Sequence, residues 1–104
     1  MLGIDTQNRV VVEREVARGG LFGVEVHPRE VFRLLIQASA AACVLVHNHP
    51  SGDSTPSEDD LVLTARISQV GKTVGIPLLD HVVVGQGGFS SIRDWADTAF
   101  ISGS

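Results

Sequence analysis

The sequence predicts a single α/β domain, a mixed β-sheet flanked by helices. Three observations carry this reading. Short apolar runs rich in β-branched residues, around 10–16, 42–46 and 78–84, alternate with two stretches of helical periodicity, 28–38 and 57–74. Turn-forming residues separate these segments, and neither an internal repeat nor a linker interrupts them. With 104 residues, 43% of them apolar and 19% charged, the chain suffices for one core without disulfide staples.

The first seventeen residues read as two short strands around a turn at Asp5-Thr6-Gln7-Asn8, residues that favour turn hydrogen bonds. In the second strand Val10, Val12 and Val16 fall on one face, and Val11, Glu13, Glu15 and Ala17 on the other. Gly19-Gly20 breaks the strand, and a polar loop leads to His27-Pro28. Pro28 suits the first turn of a helix, where its missing N–H would be unpaired anyway. Val31, Leu34, Leu35 and Ala38 follow at helical spacing, with Phe32 and Ile36 widening the apolar stripe. Ala41 to Val46 is a buried strand.

A Pro/Gly/Ser-rich loop runs from Pro50 to Pro56, and Ser57 opens a second helix with Leu63, Ile67, Val70 and Val74 facing inward. Gly75 stops that helix and Pro77 prevents its continuation. Leu78 to Val84 is a strand in which Leu79, His81 and Val83 alternate against Leu78, Asp80, Val82 and Val84. Gly85-Gln86-Gly87-Gly88 turns into a last strand, Phe89 to Ile92. A short helix over 93–100, carrying Trp95 and Phe100, is expected to close the core as a lid. The domain is thus placed at 1–100, with 101–104 a frayed tail.

A lone cysteine, Cys43, forms no internal disulfide, so a reducing cytoplasmic setting is expected and an inert core role for the thiol. The sequence has neither a signal-peptide pattern nor an apolar run long enough to span a membrane. The net charge is −4, and the eight Lys and Arg residues are scattered. Direct DNA binding by this domain is not expected, since no stretch looks like a basic patch for phosphates. Edge strands near the amino terminus could pair two copies into a homodimer.

The chemistry concentrates in one run, His47-Asn48-His49-Pro50-Ser51-Gly52-Asp53-Ser54-Thr55-Pro56-Ser57-Glu58-Asp59-Asp60, spaced H-x-H-x7-S-x2-D. Two imidazoles and a carboxylate form the ligand set of a catalytic zinc site with its fourth position open. Histidines two apart, leaving a strand, point to the same side. If Ser57 caps a helix, Asp60 lies in its first turn and reaches back to them. Ser57-x-x-Asp60 is also a capping-box spacing, and histidines after a strand can simply hydrogen-bond loop backbone. What favours a site is that Asp60 shares a helical face with Leu63 and Ile67, and a carboxylate aimed at a core needs a partner. Adjacent His47-Asn48-His49 does not match the dispersed residues of an HNH nuclease. Cys43 alone cannot supply the P-C-x-x-C half of a deaminase site. On the strand at 78–84, His81 beside Asp80 reads as a hydrogen-bonded core residue, with support of the metal site as the alternative.

His47, His49, Ser57 and Asp60 match the JAMM (MPN-plus) metalloprotease motif, and Val46 to Asp53 resembles its bacterial RadC branch. The resemblance extends back through His27-Pro28-Arg29-Glu30-Val31-Phe32 and forward through Gly75-Ile76-Pro77-Leu78-Leu79-Asp80-His81, nearly the whole chain. Asn48 departs from the His-Ser/Thr-His of the wider family while fitting RadC. The amino-terminal helical segment that RadC-like proteins often carry is missing, as in a short member or an excised domain. The resemblance implies a JAMM/MPN-like (cytidine-deaminase-like) fold and a Zn2+ ion held by His47, His49 and Asp60. It also implies a glutamate on an early strand as general base, the place of Glu15, with Glu13 as the alternative. Zinc-assisted hydrolysis follows, with Glu15 moving the proton and Ser57 stabilising the oxyanion. The substrate would be a peptide or an isopeptide-linked protein. The alternatives are a DNA-repair-associated factor, as RadC proteins have been labelled, or a metal-binding interaction module without turnover.

Overall fold

Asp5 makes the first turn. Its carboxylate accepts from the backbone N–H groups of Gln7 at 2.8 Å and Arg9 at 2.9 Å, while Asn8 adopts a left-handed conformation with φ 61°. In the computed structural model, which describes residues 1–15, 26–49 and 52–95, this turn joins β1 (Leu2–Ile4) to β2 (Val10–Glu13). Helix α1 (Pro28–Gln37) leads to β3 (Ala42–Asn48), and α2 (Glu58–Val74) leads to β4 (Leu78–Gly85). A hairpin then adds β5 (Gly88–Ser91), followed by the single-turn α3 (Ile92–Trp95). The strands form one mixed sheet in the order β2-β1-β3-β4-β5, in which β3 and β4 pair parallel and every other pair is antiparallel. The predicted α/β architecture is therefore the observed one.

Register assigns the faces. Gly3 pairs with Cys43, and Leu45 with His81, so these residues share a face with His47 and Val83. Both α1 and α2 cover that same face. A side chain at Gly3 would meet Leu35 of α1, and α2 delivers Asp60 to His47. The core lies between, built on Val31, Phe32, Leu35, Cys43, Leu45, Ile67 and Val83. Among the described residues the opposite face stays open, with Val46 49% exposed. β3 therefore alternates inward and outward; it is not the fully buried strand its apolar run predicts. No helix of the described residues is long and apolar enough to cross a membrane.

Two bulges redirect side chains against the predicted alternation. In the first, Ile4 pairs with Val10 and Gly3 with Val12, which leaves Val11 as the extra residue. Val12 packs on the core while Val10 is 58% exposed, so the two do not share a face. In the second, Cys43 pairs with Leu78 and Val44 with Asp80. Leu79 becomes the extra residue and is 41% exposed, while Leu78 joins His81 and Val83 in the core.

The helix faces also differ from their predicted stripes. Ile36 is exposed and does not widen the α1 stripe; Val31, Phe32 and Leu35 carry it. On α2 the buried set is Asp60, Thr64, Ile67, Ser68 and Gly71, with Leu63 and Val70 at its margin and Val74 exposed. Small and polar residues let this helix approach the sheet closely, which a search for large apolar residues overlooks. A Cβ on Gly71 would stand 2.5 Å from the Ile76 carbonyl oxygen. Gly71→Ala is therefore expected to destabilise the domain by about 1–2 kcal/mol in chemical denaturation, despite the better helix propensity of alanine.

Gly75 ends α2 in the left-handed region, φ 80°, with its N–H bonded to the Gly71 carbonyl, as predicted. Ile92 opens α3 as a fully buried residue instead of closing the last strand. Asp80 fixes that corner, accepting from Ser91 Oγ at 2.5 Å and from the Arg93 N–H at 3.1 Å. The expected strand continuation through Val16 and Ala17, the break at Gly19-Gly20, Pro50, the lid packing of the Trp95 side chain and of Phe100, and the tail at 101–104 lie outside what the structure describes.

Candidate metal centre

His47 sits inside β3, not beyond it, and His49 follows one residue after the strand ends. Their parity sends both side chains to the helix-covered face. The α2 N-terminus meets them there. Ser57 is its N-cap, with the Ser57 hydroxyl accepting from the Asp60 N–H at 3.1 Å and the Asp60 Oδ2 accepting from the Ser57 N–H at 2.8 Å. The capping box and the site are thus one structure, and the two readings of Ser57-x-x-Asp60 do not compete. Asp60 is 3% exposed. Its Oδ1 lies 2.7 Å from His47 Nδ1 and its Oδ2 lies 2.9 Å from His49 Nε2.

The three residues offer ligand atoms, two imidazole nitrogens and one carboxylate oxygen, all within 4.8 Å of one another. That donor set suits zinc or another borderline divalent ion. The histidine rings meet edge to face, their centroids 4.7 Å apart at 86°. His49 Nδ1 lies 2.8 Å from the Asp53 carbonyl oxygen, which can only accept, so this nitrogen carries a proton. Nε2, which donates to Asp60 Oδ2 here, is the nitrogen left to turn to a metal once it gives up that proton. A ligand histidine anchored to a backbone carbonyl in this way has its tautomer and ring orientation fixed.

The ligand loop is held by backbone, not by its prolines alone. His49 N–H bonds to the Val84 carbonyl, Gly52 N–H to that of His49, and Gln86 N–H to that of Gly52, at 2.9, 3.1 and 2.9 Å. Gly85 is pressed against the Gly52 carbonyl oxygen, so a Cβ there would collide with backbone. This contact ties the ligand loop to the β4–β5 turn. A sequence reading of Gly85 and Gly52 as turn residues alone does not reach it.

Below the centre lies His81, 1% exposed, its ring 6.2 Å from that of His47 with 29° between planes. Its Nδ1 is 2.7 Å from Thr64 Oγ1, and the same hydroxyl donates at 2.7 Å to the Asp60 carbonyl oxygen. The core-histidine reading of His81 is met, with a partner that sequence alone did not identify. The only available signal for Thr64 was its spacing, four residues after Asp60 on one helical face.

Electrostatics follow from this packing. Burial raises the pKa of Asp60, but the hydrogen bonds from His47 and Ser57 outweigh it and hold the carboxyl well below the usual range. The same Asp60 contact raises the pKa of His47. Burial pushes His81 down to about 4, so its ring is neutral at pH 7. Burial also pushes the Cys43 thiol up to about 11, an inert core residue as expected.

The two candidate bases lie outside this cluster. β2 runs antiparallel to β1, as β3 does, so β2 and β3 point the same way, and the chain beyond Glu13 heads for the His47 end of the sheet. β2 nevertheless stands two strands from β3, roughly 10 Å at usual strand spacing. Glu13 pairs with Leu2, and Leu2 with Val44, which places the Glu13 side chain on the face opposite His47. Glu15 is exposed, two residues past the end of β2 and no longer on a strand as the sequence predicts.

The sequence pattern of the RadC-like JAB domain matches residues 1–97. The UPF0758 protein of Clostridium perfringens is 46% identical over 94 residues, covering 90% of this chain and 41% of the relative. That of Listeria monocytogenes is 46% identical over 93 residues, covering 89% and 42%. A UPF0758 protein of Symbiobacterium thermophilum is 50% identical over 91 residues, covering 88% and 39%. The chain thus spans about two fifths of the length of the curated relatives it matches.

Proposed function

Because the chain belongs to the RadC-like JAB domain family, we propose that its His47–His49–Asp60 centre holds a zinc ion and that the domain hydrolyses a peptide or isopeptide bond. The observation that carries this reading is the convergence of three ligand atoms within 4.8 Å on a carboxylate that is itself almost wholly buried. Bound zinc supplies a Lewis acid and lowers the pKa of water to roughly 7.

The chain's own residues supply the remainder. His49, fixed by the Asp53 carbonyl, holds its Nε2 toward the centre, and the capping box holds Asp60 by its Oδ2. Ser57 Oγ accepts from the Asp60 N–H, which leaves its own proton to donate to the oxygen that gains charge as the carbonyl is attacked. Glu15, delivered to the site's end of the sheet by β2, takes the proton of the attacking water on its carboxylate and passes it to the leaving amine. Glu13 is the weaker choice, since its side chain shares the open face. A substrate protein carrying the scissile bond is the expected partner, in a reducing cytoplasm where Cys43 needs no partner.

The test is hydrolysis of a panel of peptide and isopeptide substrates by the zinc-loaded protein, with Glu15→Gln beside it. Loss of 10²-fold or more in kcat, at unchanged zinc content, is expected for that variant. The exposed position of Glu15 outside the ligand cluster favours one second reading, a metal-binding interaction module without turnover. Zinc binding with no hydrolysis of any substrate in the panel would select it. A DNA-associated role would instead appear as salt-sensitive retention on DNA, which a net charge of −4 disfavours.

A further inference from the structure

The zinc reading leaves one buried polar pair without a task. Thr64 and His81 are 0% and 1% exposed, in a core otherwise built of Ile67, Leu45, Val83 and their neighbours. A buried hydroxyl–imidazole pair gains little beyond its own desolvation cost, and two apolar residues of similar volume can serve the core about as well. Stability therefore does not account for this pair, and its position does suggest a task. Thr64 Oγ1 has one proton and gives it to the Asp60 carbonyl oxygen, so the 2.7 Å contact with His81 Nδ1 is a bond that His81 donates. The chain of bonds runs from β4, through the helix hydroxyl, to the backbone of a ligand. The His81 ring also stacks on that of His47, a second ligand.

We propose that His81 is a positioning residue of the metal centre, fixing through Thr64 and His47 the distance between the first turn of α2 and the sheet; this rests on the zinc reading above. The ligands come from two bodies, Asp60 from the helix and the histidines from β3 and its loop. In the structure described, His47 and His49 bond Asp60 directly. Once all three turn their donor atoms to a metal, those bonds no longer set the spacing. The Thr64–His81 bond uses no ligand atom and persists, so it holds the helix and sheet at the separation coordination requires.

Zinc titration of the purified protein by calorimetry, alongside thermal melts of the metal-free forms, tests this. His81→Leu keeps the volume and loses the donor. It is expected to weaken zinc binding 10–100-fold, as loss of a ligand's supporting partner does, with the metal-free melting temperature unchanged or higher. His81→Asn, whose amide nitrogen stands near the place of Nδ1, is expected to recover most of the affinity. Thr64→Val should match His81→Leu, and the double variant should be no worse than either. The visible spectrum of the cobalt-substituted protein should shift in both single variants. Zinc affinity within twofold of wild type in the Leu and Val variants would overturn the positioning role alone. Should His81→Leu fail to fold, Thr64→Val and His81→Asn decide the same question. No zinc uptake by the wild type would overturn the metal reading, and the positioning role with it.

Discussion

Replacement of Asp60 by alanine is expected to abolish zinc uptake and to cost the metal-free domain about 3 kcal/mol, the low end for breaking a buried ion pair. The carboxylate is the hub of the centre. Its Oδ1 serves His47, and its Oδ2 serves both His49 and the Ser57 N–H. Alanine leaves all three groups without that partner. The cost falls at the low end because the His47 side chain is 41% exposed and can hydrate. Asp60→Asn should retain an oxygen for the Ser57 N–H and lose less stability, while losing zinc equally, because a neutral amide is a poor zinc ligand. Elemental analysis reads the metal and urea denaturation the stability. In wild type, zinc at a thousand times Kd should add about 4 kcal/mol, and in either variant nothing. Retention of one zinc per chain by Asp60→Ala would remove Asp60 from the ligand set.

The second large effect is on pH. The His47 pKa is raised by Asp60, so its contribution to folding is complete below the unfolded histidine value and is lost as pH rises through the folded one. Asp60 is depressed, so its contribution is complete above the unfolded aspartate value and is lost as pH falls through the folded one. The pair therefore stabilises the metal-free domain most between about pH 4 and pH 6.5, the two unfolded values. His81 acts in the opposite sense. Held neutral down to about 4, it destabilises the fold as pH falls below the unfolded histidine value. The pair's contribution is therefore best read as the difference between wild type and Asp60→Asn across pH, which should be largest in that window and shrink on both sides. Zinc binding should tighten as pH rises through the raised His47 value and release a proton, because a ligand imidazole must be neutral. Zinc affinity that does not change between pH 6 and pH 8 would contradict this.

Much of the molecule was legible because the signals are local. The H-x-H-x7-S-x2-D spacing placed His47, His49 and Asp60 together, since strand parity and one helical turn are short-range geometry. Gly75 ended its helix, Pro28 began another, and two glycines around Gln86 turned the last hairpin, each by its own backbone preference. The alternation of elements sufficed for a mixed α/β sheet.

What the tertiary structure alone decided concerns which side chains meet. Bulges at Val11 and Leu79 shift parity, and a bulge is a property of two strands, invisible in either one. Both helices covering one face is what leaves Val46 exposed within an apolar run. α2 turns a small and polar stripe inward because close approach to the sheet favours Gly71 and Thr64 over Val74. The same approach joins Thr64 to His81 across 17 residues of sequence. Local periodicity fixes where side chains point along one element, whereas distances between elements arise only when those elements pack against each other.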